Sequence, residues 1–153
     1  MEGQPDATWA HTVSMETTGA KAELLLAALA AYQAGDDETL RGLLHPEIET
    51  YSEPGLINSG SFTGFEGFQH WARQWEEAWE QTRFQPLEFI DVNESLLVAR
   101  VRVVGKGAGS GLEVDREFGY LYEVRDGRAT RLHVYENVEK ALEAAHRLVS
   151  ERR

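Results

Sequence analysis

The chain has 153 residues and a formal net charge of −11, with 42% hydrophobic, 27% charged and 10% aromatic residues. This composition fits one folded domain and excludes disorder throughout, collagen-like repeats and coiled coil. No run approaches the roughly 18 apolar residues of a membrane span, residues 1–19 lack the basic start and apolar stretch of a signal peptide, and the absence of cysteine removes disulfides, thiolate nucleophiles and cysteine-ligated zinc. The compartment expected by default is the cytoplasm. Residues 36–94 carry 13 acids against 3 bases, whereas 108–153 nearly balance at 9 and 8. Such a surface repels phosphate backbones and anionic membranes, which need clustered Lys and Arg, so neither nucleic acid nor membrane is an expected partner.

In chain order, Met1–Gly19 is polar and aperiodic, with Trp9 its one large apolar residue, and reads as a tail outside a single domain over residues 20–150. Leu25, Ala28, Leu29 and Tyr32 recur at helical spacing, and Gly35 stands where a glycine ends a helix. Asp36 or Asp37 caps a short second helix carrying Leu40, Leu43 and Leu44, ended by His45-Pro46. Glu47–Ser52 alternates as a strand, and 53–67 is loop with a short extended piece at Ser61–Thr63. Phe68, Trp71, Trp75, Ala78 and Trp79 give a third helix one aromatic face. Strand periodicity then holds over Phe84–Val92, Ser95–Val104, Leu112–Val124 and, after the Asp126-Gly127 turn, Arg128–Glu136. Asn137 caps a final helix with Val138, Ala141, Leu142, Ala145 and Val149 on one side. Helices before and after an antiparallel meander define an α+β architecture.

Opposite charges propose a register for the long hairpin: Arg102 pairs Asp115, Arg100 pairs Glu117, and Ala99 meets Phe118. Phe118, Tyr120 and Tyr122 then point inward, and Asp115 and Glu117 point out.

Few motifs carry chemistry. Gly105–Gly111 alternates glycines, but its flanks are strands and a phosphate cradle needs a helix N-terminus, so it reads as a hairpin tip. The five histidines show no metal-ligand spacing, Asn93-Glu94-Ser95 reads as a turn, and no GxSxG elbow is present. The Trp71/Trp75/Trp79 stripe serves either core packing or a pocket wall. Tyr120 and Tyr122 need hydroxyl partners if buried, which argues for a polar spot inside.

The runs AAYQAGDDETLRGLLHPEIE, FTGFEGF and GSGLEVDREFGYLYEVRDGRATRLHVYENVEKALEAA resemble the SnoaL-like branch of the nuclear transport factor 2-like, or ketosteroid isomerase-like, superfamily over about Ala20–Leu148. The resemblance implies a cone: a curved antiparallel sheet around a pocket closed by the N-terminal helices, assembled as a homodimer through its convex face. The superfamily spans isomerases, polyketide cyclases, dehydratases, an epoxide hydrolase and noncatalytic modules.

Carried over residue by residue, the isomerase base, a carboxylate before proline, falls on Glu53-Pro54. Its two donor positions fall on Ala28 and Tyr120. The cyclase aspartate falls on Asn137, which caps a helix but abstracts no proton, and the Arg-x-Asp of the epoxide hydrolase meets Arg100-Val101-Arg102. The resemblance turns Leu132, Val134 and Glu136 toward the pocket and Arg131, His133 and Tyr135 to the convex side. Glu136 among aromatics would have a raised pKa, or else would pair with Arg116 at the strand end. The leading expectation is cofactor-free proton transfer on a small apolar carbonyl compound (isomerisation, cyclisation or dehydration). Glu136 or Glu53 is its base, Tyr120 its donor, and Tyr32, Trp71, Trp75, Arg116, Phe118, Tyr122 and Val134 its binding residues. The alternative is a noncatalytic ligand-binding or dimerisation module. A carboxylate and a donor opening into one apolar cavity would separate the two.

Overall fold

The computed structural model describes residues 19–151, so the expected tail with Trp9 lies outside the described residues. Helix α1 (Ala20–Ala34) stops at Gly35, whose φ is a left-handed 73°; its own N–H and that of Asp36 turn back to the Tyr32 and Ala31 carbonyls. Asp36 then caps α2 (Asp37–Leu43) by accepting from the Thr39 N–H at 3.2 Å and its hydroxyl at 2.6 Å. Strand β1 (Leu44–Ser52) follows, then β2 (Gly60–Thr63), helix α3 (Gly64–Ala78), strands β3 (Trp79–Asp91), β4 (Leu96–Gly107), β5 (Glu113–Arg125) and β6 (Arg128–Tyr135), and helix α4 (Val138–Glu151).

All six strands form one sheet in the order β2-β1-β6-β5-β4-β3. It is the expected α+β architecture with one addition. β1 runs parallel to β6, which brings the ends of these two strands together at Ser52 and Val134. α3 ends one residue earlier than its aromatic spacing predicts, because Trp79 has extended backbone (φ −130°, ψ 142°) and opens β3.

The proposed hairpin register is corrected by two residues: Arg102 stands opposite Glu117 and Ala99 opposite Tyr120. A two-residue slip leaves every side chain on its face, so Asp115 is exposed and Phe118 and Tyr122 are buried inward as expected. The ion pairs survive as diagonal contacts, Arg102 to Asp115 at 2.8 Å and Arg100 to Glu117 at 2.9 Å. Charge pairing reaches a diagonal neighbour as readily as an opposite one, so it defines the face and not the register. The glycine segment is a hairpin tip between β4 and β5, with the Gly107 N–H donating to the Leu112 carbonyl at 2.7 Å. Asn93 is the expected turn residue, its side-chain oxygen accepting from the N–H groups of Ser95 and Leu96, each at 2.9 Å.

Alternation along the strands divides the core in two. Leu97, Ala99, Val101, Val103, Phe118 and Tyr122 face α1 and α3, whereas Leu96, Val98, Leu121 and Tyr135 face α4. α4 thus covers part of the convex side. Gly119 permits this, since a Cβ there would run into the Asn137 carbonyl at the start of α4. The convex surface expected to expose His133 and Tyr135 for a dimer is accordingly corrected: both are buried, Tyr135 beneath α4, and only Arg131 of the three stays half-buried.

Candidate functional site

Between α1, α3 and the inner face of the sheet lies a cavity of about 90 Å³. Each wall follows from a local pattern. α1 contributes Leu25, Ala28 and Tyr32 from one face, α3 contributes Phe68, Trp71 and Trp75 at spacings of three and four, and the strands contribute every second residue: Val103, then Phe118, Tyr120 and Tyr122, then Leu132 and Val134. Among the described residues no Asp, Glu, His, Lys or Arg lines the cavity. Its polar members are Tyr32, Ser52, Asn58, Tyr120, Tyr122 and the indole N–H groups.

Most of these polar atoms are committed. The Trp71 indole donates to Ser52 Oγ at 2.8 Å and Asn58 Nδ2 donates to the Trp71 carbonyl at 3.3 Å, tying α3 to β1 and the following loop. The Tyr32 hydroxyl donates to Glu76 Oε2 at 2.6 Å. Burial and the adjacent carboxylate raise the Tyr32 pKa far above the ordinary phenol value. The Tyr122 hydroxyl and the Trp75 indole N–H are buried with no partner among the described residues. Burial alone raises the Tyr120 and Tyr122 pKa values as well, so all three phenols stay protonated and serve as donors. Trp75 is held between Phe118, edge-to-face at 6.1 Å between centroids, and Phe84 at 6.5 Å.

Of the ten residues nominated from sequence, Tyr32, Trp71, Trp75, Phe118, Tyr120, Tyr122 and Val134 meet at this cavity, and Glu136, Glu53 and Arg116 do not. β6 ends at Tyr135, so the alternation that placed Leu132 and Val134 inward stops before Glu136, which turns out toward solvent. The Lys140 ammonium at 2.6 Å holds the Glu136 carboxyl below the usual carboxylate range, the reverse of the shift that desolvation by aromatics would cause. Glu53 stands beside it because β1 and β6 are parallel. Its Oε2 accepts from the Glu136 N–H at 2.6 Å, and Lys140 lies 3.7 Å from its other oxygen. The two carboxylates therefore form a collar at the start of α4, where the Lys140 N–H also donates to Asn137 Oδ1 at 2.9 Å. The Arg116 guanidinium is exposed and lies over the Phe118 ring, 4.9 Å from its centroid.

Sequence reasoning missed Ser52, Asn58 and Glu76. Ser52 sits in the nominated first strand at its inward end, which was a usable signal. Nothing distinguished Glu76 from its neighbour Glu77. Among the described residues no group of three His, Cys, Asp or Glu side chains is gathered as metal ligands would be, and no helix is long and apolar enough to cross a membrane.

A curved sheet wrapped on helices around an apolar cavity defines the cone class of α+β proteins. The SnoaL-like domain family matches residues 25–132, and the chain belongs to that family. Its fold is similar to that of TerC co-crystallised with polyporic acid, at 22% identity and a TM-score of 0.69, covering 82% of this chain and 97% of that one. A putative polyketide cyclase from Xanthomonas campestris pv. campestris is similar at 20% identity and a TM-score of 0.60, covering 79% and 93% of the respective chains. A Mycobacterium tuberculosis protein in complex with estradiol-17β-hemisuccinate is similar at 12% identity and a TM-score of 0.66, covering 80% and 97%. No curated protein matches the chain.

Proposed function

We propose that the cone binds a small, uncharged, largely apolar molecule that presents an acceptor oxygen, such as a carbonyl group. The observation that carries this is the pair of leftover donors. The Tyr122 hydroxyl and the Trp75 N–H lie buried in an apolar cavity with no partner among the described residues and no charged side chain beside them. Orphaned donors in such a place are costly unless a partner arrives. That TerC was co-crystallised with polyporic acid and the Mycobacterium tuberculosis protein is in complex with estradiol-17β-hemisuccinate supports a small-molecule ligand in this fold.

Binding is favoured over proton-transfer catalysis because, among the described residues, no carboxylate lines the cavity beside these donors. A second, catalytic reading rests on Tyr120 and Tyr122 being held protonated, as polarising a substrate carbonyl toward isomerisation, cyclisation or dehydration requires. The fold likeness to two proteins described as putative polyketide cyclases supports it. The homodimer is also retained as a proposal, on the part of the convex face that carries the Arg100–Glu88–Glu117 cluster.

Acetophenone and ethylbenzene differ by the carbonyl oxygen and separate recognition from mere filling. Thermal shift and quenching of tryptophan emission should show the ketone bound about tenfold more tightly, the worth of one to two hydrogen bonds. Equal binding of the two, or binding of neither, would sink the proposal. Turnover of an enolisable ketone series, followed by product analysis, decides the catalytic reading.

A further inference from the structure

Tyr32 and Trp75 face a second space on the other side of the cavity wall. Tyr32, Trp75 and Phe84 also line a second, open cleft of about 380 Å³, whose remaining walls are Gln33, Glu76, Trp79, Gln81, Thr82 and Arg83. The two spaces thus share an aromatic partition and differ in chemistry, apolar within and polar without. At about 90 Å³ the inner cavity is smaller than ordinary ligand sites, which run from about 300 Å³ upward. The cleft adjoins the cavity across these three rings and would lengthen the site beyond the cone.

Two features build the cleft. β3 has an irregularity between Glu80 and Arg83, and Gln81 sits there with φ of 56°, a left-handed conformation that is costly for a residue with a side chain. This bulge brings Gln81 and Thr82 into the wall. On the opposite side, the short bond from the Tyr32 hydroxyl engages one oxygen of Glu76, an exposed residue, and fixes its carboxylate at the solvent-facing rim. Among the described residues Glu76 forms no ion pair, and its second oxygen, Oε1, has no hydrogen-bond donor.

We infer that the cleft is the outer half of the ligand site and takes a hydrogen-bond-donating end, a hydroxyl or ammonium group, with Glu76 Oε1 as its acceptor and Tyr32 as the positioning residue that holds the carboxylate. Arg83 shares the cleft and would suit an anionic end instead. The net charge of −11 opposes the approach of an anion, which favours the donor. The inference rests on the proposal that the cone binds an acceptor-bearing apolar body.

The test uses the full chain and four acetophenones that differ only at the para position: methoxy, 2-hydroxyethoxy, 2-aminoethoxy and carboxymethoxy. Titration by tryptophan emission and calorimetry should rank the hydroxyethoxy and aminoethoxy compounds about tenfold tighter than the methoxy compound, with the carboxymethoxy compound weakest. Glu76→Ala should collapse that ranking, and Tyr32→Phe should narrow it. Methoxy binding without discrimination among the ends overturns the outer site alone, as does a ranking that survives Glu76→Ala. Tightest binding of the carboxymethoxy compound transfers the site to Arg83 and overturns the donor assignment. Failure of the methoxy compound itself to bind overturns the cone reading and this inference with it.

Discussion

Replacing Tyr122 by Phe separates a residue kept for packing from one kept for a ligand. The ring is 1% exposed and its hydroxyl has no partner among the described residues, so Tyr122→Phe keeps the apolar contacts and removes a donor that costs free energy where it stands. An unsatisfied buried polar group is worth about 1–3 kcal/mol of lost stability, so the variant should be more stable by about 1 kcal/mol and melt about 2–4 °C higher. Affinity moves the other way. Losing one hydrogen bond to acetophenone should weaken binding roughly two- to tenfold. Urea unfolding monitored by circular dichroism reads the first effect and titration of tryptophan emission the second. Tyr32→Phe is the internal contrast, because its hydroxyl is bonded to Glu76 and its removal should not stabilise. A Tyr122→Phe protein less stable than the parent by about 1 kcal/mol would show that the hydroxyl already has a partner, such as a bound water, and the argument from leftover donors would fail.

The remaining expectations concern the frame around the cavity. His133 is buried beside Arg131, and its pKa falls from the ordinary 6.5 to about 4 despite the opposing pull of Glu49 and Glu123. The unfolded chain therefore binds the proton first as pH falls, and stability should be lost between about pH 6.5 and 4, by about 3 kcal/mol at most, in denaturation curves that His133→Asn flattens. Gly119→Ala forces a Cβ against the Asn137 carbonyl and should cost about 1–3 kcal/mol, seen as a lowered melting temperature. Glu136→Gln removes an exposed pair with Lys140, so its stability should change by under about 1 kcal/mol and acetophenone binding should not change in calorimetry. Light scattering at micromolar concentration should give twice the chain mass if the convex-face dimer forms.

Much of the fold was legible because burial repeats with the period of each element. The Leu25, Ala28, Tyr32 spacing marked α1, the Phe68, Trp71, Trp75 spacing marked α3, and alternation from Leu97 through Val103 marked a strand with one apolar and one charged face. What periodicity could not carry were relations between elements. The parallel contact of β1 with β6 joins residues some eighty positions apart and leaves no local mark. The hairpin register failed by two residues for a related reason: parity is what a pleated strand enforces, and a slip of two preserves parity. α4 went unplaced because the feature that admits it, Gly119 within β5, reads in sequence as a weakness in a strand rather than as room for a neighbour.

The site divides along the same line. An aromatic at an inward position of a strand or helix stays inward wherever the element packs, so Trp71, Trp75, Phe118, Tyr120 and Tyr122 were recoverable from spacing. A carboxylate at a strand end is different, because one residue past the last ladder bond the alternation no longer governs it. Glu136 crosses that limit, and Lys140, one helical turn on, takes it to the surface. Whether a polar group serves the fold or a ligand is decided by what remains after the fold has used its share. Ser52 is taken by Trp71 and Tyr32 by Glu76, and the Tyr122 hydroxyl and Trp75 N–H have no partner among the described residues. That remainder belongs to the whole arrangement of α1, α3 and β5, and no stretch of the chain contains it. For the same reason the leftover donors are a stronger guide to function here than the nominated acids. Glu53 and Glu136 are already held by Lys140, whereas a buried donor without a partner opposes folding.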